Sequence, residues 1–293
     1  MLTGLLFVSP WLLGFAVFSV YPVMAGLYYS FCNYNIVRPP RFIGFANYIE
    51  LFTDDPYFYK SLYNTFYMTA LGLPLGLTFA FFLALALNAK VRGQSFFRTA
   101  FYLPSIVPVV ASSILWVWIL NPEYGLLNAL LRQFGFDGPG WLTDPQWSKP
   151  ALILTGLWGV GGTMIIFLAG LQQIPVALHE AALVDGAGRW HRLIHVTLPS
   201  ISPVIFFNVI MGIIGSFQFF TQVYVMTGGS TSGGAAGGPQ GSTLVYALYL
   251  YQNAFTNFSM GYASAMAWVL FVIVAILVTV VIRSGFWVHY GEE

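Results

Sequence analysis

Six stretches of this chain (5–28, 62–87, 99–120, 151–171, 202–225 and 260–282) run on without one Asp, Glu, Lys, Arg or His. An apolar helix of about 20 residues, rising about 1.5 Å each, crosses the hydrocarbon of a bilayer. Lipid offers no partner to a backbone N–H or C=O, so a spanning segment must satisfy its own, as a helix does. The weak two-residue alternation of barrel strands is missing. The expectation is an all-α integral membrane protein with six transmembrane helices and one transmembrane domain over 1–293. Only 7% of the 293 residues are charged, against about a quarter in a soluble domain, so the chain cannot clothe itself in a solvated surface.

The remaining composition narrows the function classes. One cysteine, Cys32, excludes an internal disulfide framework and a cysteine metal cluster. A net charge of +1 without a dense basic patch gives no nucleic-acid partner. The N-terminus turns apolar at once without a basic lead-in, so residues 5–28 read as a retained first helix rather than a cleaved signal. None of Lys60, Lys90 and Lys149 follows the glycine spacing of a phosphate-binding loop, so the chain does not bind ATP by that route. The Gly-rich run after Met226 lacks lysine altogether and reads as a flexible linker. Proton-driven carriers place ionisable groups inside the membrane at a cost of about 2.5–3.5 kcal/mol each, and these spans hold none. Sodium coupling through carbonyls and hydroxyls stays open. His179-Glu180 begins a zinc motif, but Leu183 stands where the second histidine belongs, and His191 with His195 has no evident third ligand. No metal site and no catalytic residue are expected.

The polar intervals set the orientation. Asn88 to Arg98 carries Lys90, Arg92 and Arg98 without an acid, which directs it to the cytoplasm. With six spans, both termini and the interval between the fourth and fifth spans then lie on that side too. Pro74 in the second span, and Pro104 and Pro108 in the third, are expected to bend their helices.

That fourth interval, Pro175 to Pro203, organises the chain. Pro175 sits where a helix begins, and Val176 to Asp185 supplies good helix formers. Gly186 interrupts, and Arg189 to Val196 reads as a second short helix ended before Leu198-Pro199. Two short helices joined at a glycine are too short to span and suit an interaction element. Glu180-Ala181-Ala182, three residues, Gly186, nine residues, then Val196-Thr197-Leu198-Pro199 resembles the EAA loop of the permease subunits of ABC importers, with valine for the usual isoleucine.

The resemblance extends to carbohydrate-type permeases through Leu6-Phe7-Val8-Ser9-Pro10, Phe45-Ala46-Asn47-Tyr48, Asn64-Thr65, Asn121 to Asn128, and the flanks of the Gly-rich run. It implies a type I ABC importer permease fold whose EAA loop (175–199) is a cytoplasmic coupling helix. The contacts to the ATPase would be Glu180, Ala181, Ala182, Leu183, Asp185, Gly186, Leu198 and Pro199. It also implies a second, similar permease, two ATP-binding cassette subunits that hold the ATP and Mg, and an extracytoplasmic solute-binding protein. The chain would then sit in a prokaryotic cytoplasmic (inner) membrane and bind no cofactor itself. A sugar, oligosaccharide or glycerol-phosphate solute is expected, contacted by Asn208, Ser216, Gln218, Gln222, Tyr249 and Gln252, with Gln218 beside three phenylalanines the first choice. An ion-coupled carrier and a non-transporting membrane scaffold are the alternatives.

Overall fold

A computed structural model describes residues 2–89, 92–228 and 237–289, with side chains from residue 7 onward. Lys90 of the short basic loop and the Gly-rich residues 229–236 lie outside the described residues. The structure is helical almost throughout. The helices are α1 (Leu2–Phe15), α2 (Tyr21–Ser30), α3 (Ala46–Thr53), α4 (Pro56–Asn88), α5 (Gln94–Ile106), α6 (Val109–Ile119), α7 (Leu126–Gln133) and α8 (Ser148–Trp158). They continue with α9 (Gly161–Gln172), α10 (Val176–Val184), α11 (Arg189–Arg192), α12 (Leu198–Ser200), α13 (Ser202–Phe217), α14 (Thr221–Val223), α15 (Tyr246–Tyr251) and α16 (Met260–Arg283).

Three helical runs are long and apolar enough to cross a membrane alone: Phe7–Ser30, Pro56–Asn88 and Met260–Trp287. Three bent pairs pass the same test only together: α5 with α6 (97°), α8 with α9 (50°), and Arg189–Ser200 with α13 (66°). Up to six spans result when each bent pair counts as one, with Arg189–Ser200 the polar lead-in to α13 rather than part of its apolar run. The third span therefore differs from a single bowed helix. Val107 and Pro108 are both extended (ψ 131° and 132°), because a residue ahead of proline avoids the helical region. Pro74, by contrast, lies inside an unbroken α4. The fifth differs as well: its helix stops at Phe217 rather than Val225, and Gln218 takes the capping position.

The chain forms two compact units. The first comprises Met1–Lys60 and Tyr246–Ile273. In it a two-residue hairpin, β1 (Cys32–Asn33) with β2 (Arg41–Phe42), separates α2 from α3. Asn47 donates to the carbonyls of Ser30 and Cys32 (2.8 and 3.0 Å) and closes the turn between α2 and α3. Gly261 is held against the same strand: its N–H donates to Tyr34, and any Cβ would overlap the Cys32 carbonyl. Asp55 caps α4 by accepting from the N–H groups of Tyr57 and Phe58 (2.9 and 3.1 Å). Its other oxygen accepts from the hydroxyls of Tyr249, at 2.7 Å, and Tyr262. Burial first, and the bond to Asp55 second, push the Tyr249 phenol above its ordinary pKa.

The second unit comprises Ser61–Val245 and Val274–Glu293. Its core joins Ala80, Ala84 and Leu87 of α4 to Met164, Phe167, Leu168 and Leu171 of α9, with Ile201 between α12 and α13. Small residues bring these helices close, as they do wherever lipid supplies no hydrophobic drive. Gly72 and Gly76 of α4 receive Ile153 and Val160, and Gly212 of α13 receives Leu73. Asn64 donates to the carbonyls of Gly241 and Leu244 (3.1 and 2.9 Å). The motif-like asparagines at 47 and 64 are thus brackets that satisfy loop carbonyls.

Candidate functional site

The polar interval between the fourth and fifth spans folds into an elbow with two arms. Pro175 is the capping residue rather than the first helical one, with extended ψ (130°), and α10 begins at Val176. The arm stops because Gly186 takes a left-handed φ of +79°, which costs glycine nothing. Its N–H then bonds Leu183 (3.0 Å) and the N–H of Ala187 bonds Ala182 (2.9 Å), which is the Schellman closure of a helix end. No heavy atom lies within 4 Å of a Cβ built on Gly186, so the turn demands glycine for its backbone and not for space.

The second arm runs from Arg189 to Ser200, longer than the sequence suggests, and passes through Pro199. A wide turn at Leu193–Thr197 precedes the proline, with the Leu198 N–H reaching back to Leu193. Widening the turn gives the pyrrolidine ring of Pro199 room within the helix. The arms touch where α10 meets Leu193–Thr197.

Both arms present unburied side chains. Glu180, Ala181, Leu183 and Asp185 are exposed, Ala182 is half-buried, and Val184 and Trp190 are 89% and 72% exposed. Leu198 and Pro199 are half-buried at the base. There the second arm ends at Ile201, which is 1% exposed and packed into the α4–α9 core. Ile201 thus stands at the 66° bend from the second arm into α13. His191 and His195 stack face to face (4.1 Å between ring centres). Among the described residues no three His, Cys, Asp or Glu side chains group as metal ligands.

The solute-contact candidates fall into both units and have different surroundings. In the second unit Asn208 is buried and donates to Val204 (2.8 Å), while Ser216 donates to Gly212 (2.7 Å). Both are turned back onto their own helix. Gln218 is exposed at the end of α13. Gln222 on α14 reaches across to the Thr155 hydroxyl of α8 (2.5 Å). In the first unit Tyr249 is committed to Asp55, and the amide nitrogen of Gln252 is buried with no hydrogen-bond partner.

Two residues that the sequence did not single out stand beside the Gln222–Thr155 bridge. Trp158, one turn on from Thr155, meets Trp116 of α6 edge to face (6.0 Å), and the Trp116 indole N–H is buried without an acceptor. α6 in turn touches α14. A linked amide and hydroxyl beside two indoles, one with an unanswered donor, offers hydrogen bonds and flat apolar faces to a polyhydroxylated solute. Tryptophan in an apolar span gives no signal of this in the sequence.

Comparison with known proteins gives one answer. Residues 72–288 match the family model described as binding-protein-dependent transport system inner membrane component. The chain is 44% identical to the probable ABC transporter permease protein YesP of Bacillus subtilis, over all of this chain and 93% of that protein. It is 35% identical to the sulfoquinovosyl glycerol transport system permease protein SmoG of Agrobacterium fabrum, over 96% of this chain and 90% of that one. A solved bacterial alginate ABC transporter, in complex with its alginate pentasaccharide-bound periplasmic protein, contains a similar chain. The match has a TM-score of 0.81 and 26% identity, over 96% of this chain and 92% of that one. With its helical fold, its bent spans and its exposed elbow, the chain belongs to the family of binding-protein-dependent transport system inner membrane components.

Proposed function

We propose that this chain is the transmembrane subunit of an ATP-driven importer for a sugar or oligosaccharide, and that its elbow is the handle by which the ATPase moves it. The observation that carries this reading is the elbow itself. Apolar side chains as exposed as Val184 and Trp190 sit on two short arms, and the second arm is rooted through Ile201 in the α4–α9 core. A short helix with exposed apolar side chains fits a groove through anchors three and four residues apart. Closure of that groove then tilts α13 against α9, a rigid-body change of a packed pair.

The chain itself catalyses nothing in this reading. ATP and Mg belong to two cassette subunits beneath the elbow, a second permease of the same fold completes the path, and a solute-binding protein delivers from outside. The bilayer is the cytoplasmic (inner) membrane, with both termini and the elbow on the cytoplasmic side, consistent with an even number of spans and with Arg92 and Arg98 on the preceding inner loop. The saccharide class is supported by the solutes named for SmoG and the alginate transporter. It is also supported by the Gln222–Thr155 bridge beside Trp116 and Trp158. Of the residues chosen from sequence, Gln222 is the best placed contact.

The test is Glu180→Lys in the assembled importer. It is expected to insert normally, to retain less ATPase, and to lose solute-stimulated ATP hydrolysis. Equal hydrolysis in variant and parent would refute the reading.

A further inference from the structure

A second unburied apolar surface lies far along the chain from the elbow, on α7. The loop from Asn121 fixes this helix with unusual rigidity. Asn121 Oδ1 accepts from the N–H groups of Glu123 and Tyr124 (2.9 and 3.2 Å). Gly125 lies so close to the end of α6 that a Cβ would overlap the carbonyls of Asn121 and Ile119. Asn128, 2% exposed, donates to Pro122 and Pro139 (both 3.1 Å) and accepts from the Trp141 indole (2.6 Å). Gly135 (φ +81°) closes the far end, with Gly135 N–H on Arg132 and Phe136 N–H on Leu131.

The rigid frame turns the usual pattern over. The amide of Asn128 faces inward, and the Arg132 guanidinium is drawn back onto the carbonyls of Glu123 (2.7 Å) and Asn128 (3.3 Å). Leu126, Leu130 and Phe134, four residues apart, face outward with Phe136, and Phe134 is 77% exposed. An outward stripe of leucine and phenylalanine over an inward amide reverses the pattern of a water-facing helix and marks an interaction surface.

We propose that α7 lies in the outer headgroup–acyl boundary of the bilayer, its Leu126–Leu130–Phe134 stripe seated in lipid. The occupant follows from continuity. α7 is pinned through Gly125 to the end of α6, a helix whose Ile114, Leu115 and Trp118 are exposed. The outward stripe carries no charge, and Tyr124 and Trp118 flank it as interfacial aromatics do. A helix held in the interface plane buries an apolar face to a depth of about 5–10 Å.

The test uses the full chain in vesicles of phosphatidylethanolamine and phosphatidylglycerol, with a nitroxide on Leu126→Cys, Leu130→Cys, Phe134→Cys or, as reference, Gln133→Cys. Cys32 is fully buried and is left in place; the unsubstituted chain is the labelling blank. Relaxation by oxygen should exceed relaxation by a water-soluble nickel complex at 126, 130 and 134, and the ratio should fall several-fold at 133. Conservative single cysteines on an exposed stripe leave the buried hub intact, and size exclusion of each labelled chain verifies this. A water-type ratio at all four positions overturns the proposal. So does a stripe that turns inaccessible to both relaxants only after an external solute-binding protein is added, since the surface is then a protein-docking face.

Discussion

Replacing Gly186 separates the geometry of the elbow from its chemistry. The residue holds φ +79°, and a side chain there meets nothing within 4 Å, so Gly186→Ala adds no clash beyond its own backbone. An L-residue in this region costs about 1–2 kcal/mol, and the Schellman bonds of Gly186 and Ala187 can be kept only at that cost. Docking that requires the intact turn then loses affinity by at most about fivefold to thirtyfold. Gly186→Asn is the control, because asparagine enters the left-handed region at little cost although it is larger than alanine. The assay is retention of the ATPase during purification of the assembled importer, read against subunit concentration, with ATP hydrolysis stimulated by loaded solute-binding protein. The expected order is parent, then Asn, then Ala. Parent-like behaviour of Gly186→Ala, or equal losses for Ala and Asn, would refute the argument that backbone conformation sets the elbow.

Other consequences follow from buried contacts. Gly261→Ala drives a methyl into the Cys32 carbonyl and is expected to cost about 3 kcal/mol or more, seen as a lower melting temperature in detergent; an unshifted melt would contradict the packing. Asn128→Leu orphans the carbonyls of Pro122 and Pro139 and the Trp141 indole, a loss of about 1–3 kcal/mol that should expose the 121–141 loop to protease; unchanged cleavage would contradict it. The Tyr249 phenol titrates above its ordinary value of 10.0 because it is buried and bonded to Asp55. The folded state therefore holds a proton that the unfolded chain releases. Its contribution is complete below about pH 10 and is lost as pH climbs from there toward the folded value. Unfolding measured from about pH 9 to 11 should steepen with pH more in the parent than in Tyr249→Phe, and identical slopes would contradict the assignment.

What could be read from the sequence was whatever local chemistry dictates. The apolar, charge-free runs specify membrane helices, since no other element satisfies the backbone in lipid. Gly186 marks the elbow, since its place after a run of helix formers leaves few other uses for a glycine. What stayed hidden depends on neighbours. Pro74 and Pro108 look alike in sequence, yet α4 runs through the first and the chain breaks by 97° at the second. The continuation of the second arm from Val196 through Pro199 to Ser200 is not legible in sequence, because a wide turn at Leu193–Thr197 is a register choice, which composition does not encode. Among the polar groups of the fifth span, Gln218 drew attention through its phenylalanine neighbours but caps a helix end, whereas Gln222 finds Thr155, 67 residues away. Trp116 and Trp158 are silent in sequence for the same reason, since their meeting is a distance between helices.

The account stands on the elbow lying inside the cell and bearing on the ATPase. Leu183→Cys, exposed on the first arm, offers the direct measurement: thiol crosslinking within the assembled importer, together with labelling of intact cells by a membrane-impermeant maleimide. The prediction is a crosslink to the ATP-binding subunit and no labelling from outside. Labelling of that position from the exterior, or an assembled importer in which it reaches no partner, would contradict the account.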